Sequence, residues 1–287
     1  MTAAELVALT EPGVYPDLPE ADYHAQQHAL SASGARRLLP PSCPALFDYW
    51  RREGQGPKAA FDLGHAAHRV VLGVGLDVHV IDAEDWRGKA ARQERDEAYA
   101  AGEVPLLIAD WQRVHAMAEA LIAHPYAGVL LDPEHGRPEQ SLFWTDEGTG
   151  VMRRARLDWL PDPHSGRAIL VDYKTAKSAE PDRFGRALWD YGYVQQAPWY
   201  LDGAIALDLV GPDAAFVFVV QEHDPPYLVT VCEPDERAMR VGRLRNRQAI
   251  ETYAECTAVG EWPGYTSDVV AISLPPWIER QYEEEYM

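Results

Sequence analysis

Apolar and polar positions change their spacing twice along the chain. In the first third the pattern predicts short helices. Ser31-Ala32-Ser33 precedes Gly34-Ala35-Arg36-Arg37-Leu38-Leu39, an N-cap and helix that Pro40-Pro41 stops. Phe61 to Leu72 reads as a second helix, bounded by Gly73 and Gly75. Trp111, Val114, Ala118, Leu121 and Ile122 recur at helical spacing behind Asp110, which reads as a cap. The middle turns to strands: Ser141–Thr145, a turn at Asp146–Gly150, then Val151–Leu160. Ala168–Lys174 is an apolar run that ends polar, as a buried strand delivering side chains to its rim would be. A helical stretch from Pro181 to Leu207 follows, interrupted by Pro198 and two glycines. Phe216–Val220 is a second apolar strand, with Tyr227–Cys232 beside it. Glu233-Pro234-Asp235-Glu236 opens a long helix whose inner face takes Ala238, Val241, Leu244, Ala249 and Tyr253. Helices, three strands, helix, two strands and a helix predict an α/β sheet with extra helices at both ends.

Composition adds limits. The 287 residues carry no internal repeat or low-complexity linker, and Pro and Gly are spread evenly. One domain over 1–287 is expected: a helical and irregular part over 1–110, a core sheet over 111–232, and a helix and tail over 233–287. With 47% hydrophobic and 25% charged residues, the balance is that of a globular protein and disfavours disorder and fibrous architectures. The net charge of -19, from 26 basic and 45 acidic residues, argues against coating nucleic acid or membrane with the whole surface. A local basic track stays compatible with it. Cys43, Cys232 and Cys256 are far apart and include no C-x-x-C pair, which disfavours a disulfide scaffold, a zinc knuckle or a four-cysteine iron–sulfur cluster. No apolar run nears the ~20 residues that span a bilayer, and the start lacks a basic region followed by an apolar core. A cytoplasmic protein is expected.

The candidate chemistry lies between Glu139 and Tyr200. Asp172 and Lys174 are two apart on one strand and so project to the same side. If the preceding strand brings Asp158 alongside, two carboxylates and an ammonium converge. Close carboxylates repel, and one takes up a proton unless a cation sits between them. Oxygen ligands suit Mg²⁺ or Mn²⁺ better than zinc, and such ions polarise phosphodiesters and acidify water. A D-x-K triplet alone is common, so spacing by itself leaves a purely structural pair open.

From Gly13 to Trp277 the chain resembles the RecE-type exonucleases (the exonuclease VIII family of phages and prophages) within the PD-(D/E)XK nuclease superfamily. The resemblance is carried in order by Gly13-Val14-Tyr15, Tyr23-His24, Leu30-Ser31-Ala32-Ser33 and Asp62-Leu63-Gly64-His65-Ala66-Ala67-His68. Arg156-Leu157-Asp158, Val171-Asp172-Tyr173-Lys174-Thr175, Gln196-Ala197-Pro198-Trp199-Tyr200 and Asp202-Gly203 follow. Glu261-Trp262-Pro263 and Ser273-Leu274-Pro275-Pro276-Trp277 close it. It implies a PD-(D/E)XK core, a mixed sheet flanked by helices. It also implies Asp158 and Asp172 as metal-binding acids and Lys174 as the water-positioning lysine. His68 would be a ligand or a group beside the ligands, Glu139 a further acid that holds a second ion or orients a ligand, and the Tyr173 carbonyl a backbone ligand. Gln196 and Tyr200 would share one helix face that supports the ligands. The activity implied is Mg²⁺-dependent (or Mn²⁺-dependent) degradation of one strand of linear duplex DNA, 5′ to 3′. A RecT-like single-strand annealing protein and a homo-oligomeric ring are the implied partners.

Other residues divide between structure and function. His65 reads as structural, while Tyr193 and Gln195 stand evenly between packing and the site. Arg237, Arg240, Arg243, Arg245 and Arg247 form either a solvated face paired to Glu233, Asp235 and Glu236, or a stripe along phosphates. Arg87, Lys89 and Arg92 form a clamp or a surface loop, and Arg156 is a further candidate DNA contact. Arg36, Arg37, Arg51, Arg52 and Lys58 make a third basic group. Trp144, Trp159, Trp189 and Trp199 read as core aromatics, one of which could stack on an unpaired base. Two readings compete with the leading one: a nuclease of the same superfamily for single strands or flaps, and a non-catalytic DNA-end or protein-binding module.

Overall fold

The computed structural model describes residues 8–53, 61–163 and 166–286. In chain order the elements begin with β1 (Gly13–Tyr15), α1 (Glu20–Ala25), β2 (Leu30–Ser31), α2 (Ala32–Leu38), α3 (Pro44–Glu53) and α4 (Asp62–Leu72). Next come β3 (Val78–Ile81), α5 (Lys89–Ala101), β4 (Val104–Leu107), α6 (Ile108–Ala123) and α7 (Ala127–Leu130). Then follow β5 (Gly136–Thr145), β6 (Met152–Pro161), β7 (Ile169–Ala176), α8 (Pro181–Asp190) and α9 (Tyr193–Ala206). The chain ends with β8 (Ala215–Glu222), β9 (Val229–Cys232), α10 (Glu236–Val259) and α11 (Pro276–Tyr286).

A seven-stranded mixed sheet runs β1-β5-β6-β7-β8-β9, with β2 added beside β6. β7 and β8 are parallel and joined through α8 and α9; β5, β6 and β7 form an antiparallel meander. β6 changes partner along its length. Its start lies beside β2 at Arg153 and Arg154, and its far end pairs with β7 at Trp159 and Val171. Between those points β6 and β7 splay apart, and the candidate site occupies the gap. Helices cover both faces. Leu157, Leu170, Phe216, Phe218 and Val220 pack under α2, α8, α9 and α10, while Trp159, Val171, Tyr173, Val217 and Val219 pack under α4 and α6. Each such side chain contributes about 1.5–3 kcal/mol by leaving water. A separate parallel pair, β3 and β4, lies outside the main sheet. No helix among the described residues is long and apolar enough to cross a membrane.

Several sequence expectations need correction. α6 begins at Ile108, so Asp110 sits inside its first turn rather than capping it. The stretch over Pro181–Leu207 is two helices, because Gly192 takes a left-handed conformation (φ 77°) between them. The first third is less irregular than expected, since it holds four strands. α10 is rotated from its expected phase: Gly242, Asn246, Ala249, Ile250 and Tyr253 face inward, while Val241 and Leu244 are 40% and 66% exposed. The reason is the crossing with α9. Pro198 has no N–H, which leaves the Val194 carbonyl without its helical donor. Gly242 covers that oxygen so closely that a Cβ would stand 1.9 Å from it. Beside it Asn246 donates to the Gln195 carbonyl at 2.9 Å and accepts from the Gln195 amide at 3.2 Å. Small and polar residues thus occupy the seam, against the apolar periodicity.

Gly242→Ala should lower stability by about 1–3 kcal/mol through overpacking. Gly185→Ala, where a Cβ meets nothing within 4 Å, should raise it by up to ~1 kcal/mol through helix propensity. Thermal unfolding of the two variants checks the opposite signs.

Candidate metal centre

The site begins with the backbone N–H and C=O of Tyr173, which belong to successive peptide groups. Where β6 leaves β7, these groups lose their ladder partners, and a buried backbone group without a partner is costly. The N–H donates to Asp158 Oδ2 at 2.9 Å, and the carbonyl accepts from His68 Nε2 at 2.8 Å. The Tyr173 phenol donates to Gln221 Oε1 at 2.6 Å, and the Gln221 amide donates to the Met117 carbonyl at 2.7 Å. One residue therefore joins β6, α4, β8 and α6 at the point where the acids meet.

Strand register sets the acids in a row. β5 and β6 pair Pro138 with Trp159 and Gln140 with Leu157, which puts Glu139 opposite Asp158. β6 and β7 pair Trp159 with Val171, which puts Asp158 opposite Asp172. Glu139 has φ 53°, a left-handed conformation that costs of order 1–3 kcal/mol outside glycine. Ligand atoms of His68, Glu139 and Asp158 lie within 4.8 Å of one another. Asp172 completes the row but is held from its other side. Gln196 Nε2 donates to its Oδ1 at 2.7 Å, and Lys174 pairs with its Oδ2. Tyr200 hydrogen-bonds with Gln196, so phenol, amide, carboxylate and ammonium form one chain. The Tyr193 ring lies 5.0 Å from Lys174 Nζ.

Electrostatics register the crowding. Burial, then the charge of Asp158, pushes both Glu139 and Asp172 up to about 7. Burial also raises Asp158. Burial and the Lys174 ammonium push His68 down to about 4, so its ring is neutral. Burial acts to lower Lys174, but Asp172 and Asp158 outweigh it and keep it an ammonium. Burial holds the Tyr200 phenol well above its usual range. A divalent cation fits this donor set: carboxylates short of positive charge, with a neutral imidazole and a backbone carbonyl beside them. Glu139 and Asp158 would hold it, with Asp172 and the Tyr173 carbonyl at its margin, and His68, whose Nε2–H donates to that carbonyl, beside the ligands.

The structure brings together Lys174, Asp158, Asp172, His68, Glu139, Tyr173, Gln196 and Tyr200. Other candidates stand elsewhere. Arg156 is internal, beside Glu139 at 3.1 Å, donating to the Leu18 carbonyl and stacked over Tyr23. Arg240, Arg243 and Arg247 line a groove with Arg167 and Asp213–Phe216, at the opposite ends of β7 and β8 from Lys174. Their acidic partners are not those expected, because the helix packs across the fold. Arg243 meets Asp202 and Arg247 meets Asp146, while Glu233 pairs with Arg167. Arg87 and Lys89 are exposed around the start of α5, with Arg87 beside Asp85. Arg51 and Arg52 pair with Asp48, and Lys58 lies outside the described residues. His65 is exposed, Gln195 is buried in the α9–α10 seam, and Trp189 is exposed rather than core. Tyr193 joins the site at Lys174, and in the sequence its only signal is adjacency to the Gln196–Tyr200 helix face.

Residues 52–273 match the family model described as "PDDEXK-like domain of unknown function (DUF3799)". The chain belongs to this PDDEXK-like family. Its mixed sheet flanked by helices is the PD-(D/E)XK fold, a fold whose nucleases generally use divalent metals. A crystal structure from Eubacterium rectale described as a "Putative exonuclease" is similar over 88% of this chain and 93% of that one, with TM-score 0.56 and 11% identity. A crystal structure of SSO0001 is similar over 70% of this chain and 85% of that one, with TM-score 0.31 and 15% identity. No curated protein sequence matches the chain.

Mn²⁺ at about 100 times its dissociation constant should stabilise the protein by ~2.7 kcal/mol, read as a rise in thermal midpoint. Asp158→Asn keeps an oxygen for the Tyr173 N–H and relieves the carboxylate row. Without metal its midpoint should be no lower than wild type, and Mn²⁺ should no longer raise it.

Proposed function

We propose that the protein is a Mg²⁺-dependent exodeoxyribonuclease of the RecE type that degrades one strand of linear duplex DNA, 5′ to 3′. The observation that carries this reading is the convergence of Glu139, Asp158 and Asp172 with His68 and Lys174 in the gap between β6 and β7. The reaction is hydrolysis: a water oxygen bonds to phosphorus, the bond from phosphorus to the leaving sugar oxygen breaks, and that oxygen takes a proton. A divalent ion, when bound, supplies Lewis-acid polarisation of the phosphodiester and lowers the pKa of water.

The chain's own groups do the rest. The Lys174 ammonium donates to the attacking water or to a phosphate oxygen and balances charge as it develops. Asp172 holds Lys174 in place, and Gln196 with Tyr200 holds Asp172. His68 and Asp158 keep the Tyr173 carbonyl and N–H at the site's edge. A homo-oligomeric ring with basic residues lining its lumen would reconcile DNA binding with the charge of -19. The product strand suits a RecT-like annealing partner in phage-type recombination, in the cytoplasm of a bacterial host.

Lys174→Ala should retain the fold and DNA binding while cleavage falls by at least about 100-fold. Linear duplex labelled at its 5′ or 3′ end, incubated with Mg²⁺, reads both rate and direction. Full activity in the variant removes the assignment of Lys174. Preference for single strands or flaps over linear duplex replaces the substrate, and wild-type protein that neither binds Mg²⁺ nor cleaves favours a binding module.

A further inference from the structure

The turn between α8 and α9 carries two exposed aromatic rings, Trp189 at 56% and Tyr191 at 64%. Such rings usually pack inward or face an apolar partner; these are flanked by charge instead. Arg36, from α2, donates to the carbonyls of Asp190 and Tyr191, the latter at 3.0 Å. Arg245, from α10, lies 5.0 Å over the Trp189 ring and donates to Gln195 Oε1 at 3.2 Å and the Pro40 carbonyl at 3.1 Å. All these acceptors are uncharged, and among the described residues neither guanidinium has an ion-pair partner. The two lie near enough to repel each other. In a chain of net charge -19, two cations converging with no ion pair among the described residues leave room for an anion beside the Asp190 carboxylate of the same turn.

The turn is held rather than loose. Gly192 has φ 77°, and a Cβ there would stand 2.3 Å from Arg36 Cδ, whose guanidinium is tied down by the two carbonyls. This keeps Tyr191 outside and sends Tyr193 inside. The Tyr191 and Tyr193 rings are 5.7 Å apart, and Tyr193 lies 5.0 Å from Lys174 Nζ. An aromatic step thus leads from the surface to the ammonium of the site.

We propose that the α8–α9 turn is a subsite for one unpaired nucleotide of a polynucleotide strand, its base stacked on Tyr191 and Trp189 and its phosphate met by Arg36 and Arg245. Aromatic faces bind unpaired bases whatever their sequence, and guanidiniums beside them bind the backbone. The subsite rests on the nuclease reading for its purpose: it would hold the strand beside the phosphodiester that Lys174 faces.

Binding of short single-stranded DNA in EDTA, where nothing is cleaved, tests it. Oligonucleotides carry one abasic residue at successive positions, and affinity is read by fluorescence anisotropy. Tyr191→Ala should weaken binding of the intact strand roughly tenfold, and Tyr191→Phe should restore it. At one position the abasic residue should cost wild type the same tenfold and cost Tyr191→Ala nothing further. Equal affinity of Tyr191→Ala and wild type, or an abasic loss of equal size in both, overturns the subsite. If Tyr191→Ala does not fold, Trp189→Ala takes its place under the same criteria. Base-dependent binding by a wild-type protein that cleaves no DNA keeps the subsite and removes the nuclease reading. Cleavage without any dependence of binding on Tyr191 removes the subsite alone.

Discussion

The unpaired backbone N–H and C=O of Tyr173 are the constraint on which the rest of the site depends. A seven-stranded sheet satisfies its backbone by ladders, but β6 spends its first residues beside β2 and reaches β7 only near Trp159. The gap exposes one N–H and one C=O in a buried place. Asp158 answers the first and His68 the second. The same hydrogen bonds that complete the sheet therefore aim a carboxylate and an imidazole into one small space. Fold and site share a single cause.

That solution carries an electrostatic cost. Glu139, Asp158 and Asp172 fall in one cross-strand row, where like charges repel. Arg156 beside Glu139 and Lys174 on Asp172 offset part of the repulsion from the two ends. Beyond burial, the charge of Asp158, in the middle of the row, still raises both of its neighbours. A divalent cation is the simplest group that offsets that charge. The left-handed backbone at Glu139 adds to the strain stored there.

Three arginines of β6 serve the interior rather than the surface. Arg153 lies between the Trp144 and Trp199 rings at 4.7 and 4.1 Å, and Arg154 with Arg156 clasps Tyr23 and the segment before it. Arg154 and Arg156 thus tie α1 and the segment before it to β6. Arg36 and Arg245, by contrast, meet across three helical segments at the surface, each held by uncharged acceptors.

By itself the sequence determined the meander of β5, β6 and β7, the buried β7 and β8, and the pairing of Asp172 with Lys174, because strand alternation and short turns are local properties. It also determined that Gln196 and Tyr200 share a face, since both sit on one turn of one helix. Only the tertiary structure decided how α10 is rotated, because Gly242 and Asn246 answer to Val194 and Gln195 on another helix, and apolar periodicity does not register such a seam. It alone decided the carboxylate row, which needs the register of three strands, and the placing of Tyr193 over Lys174. Trp189 left the expected core for the same reason: hydrophobicity says that a ring prefers burial, and only packing says whether a place inside remains for it.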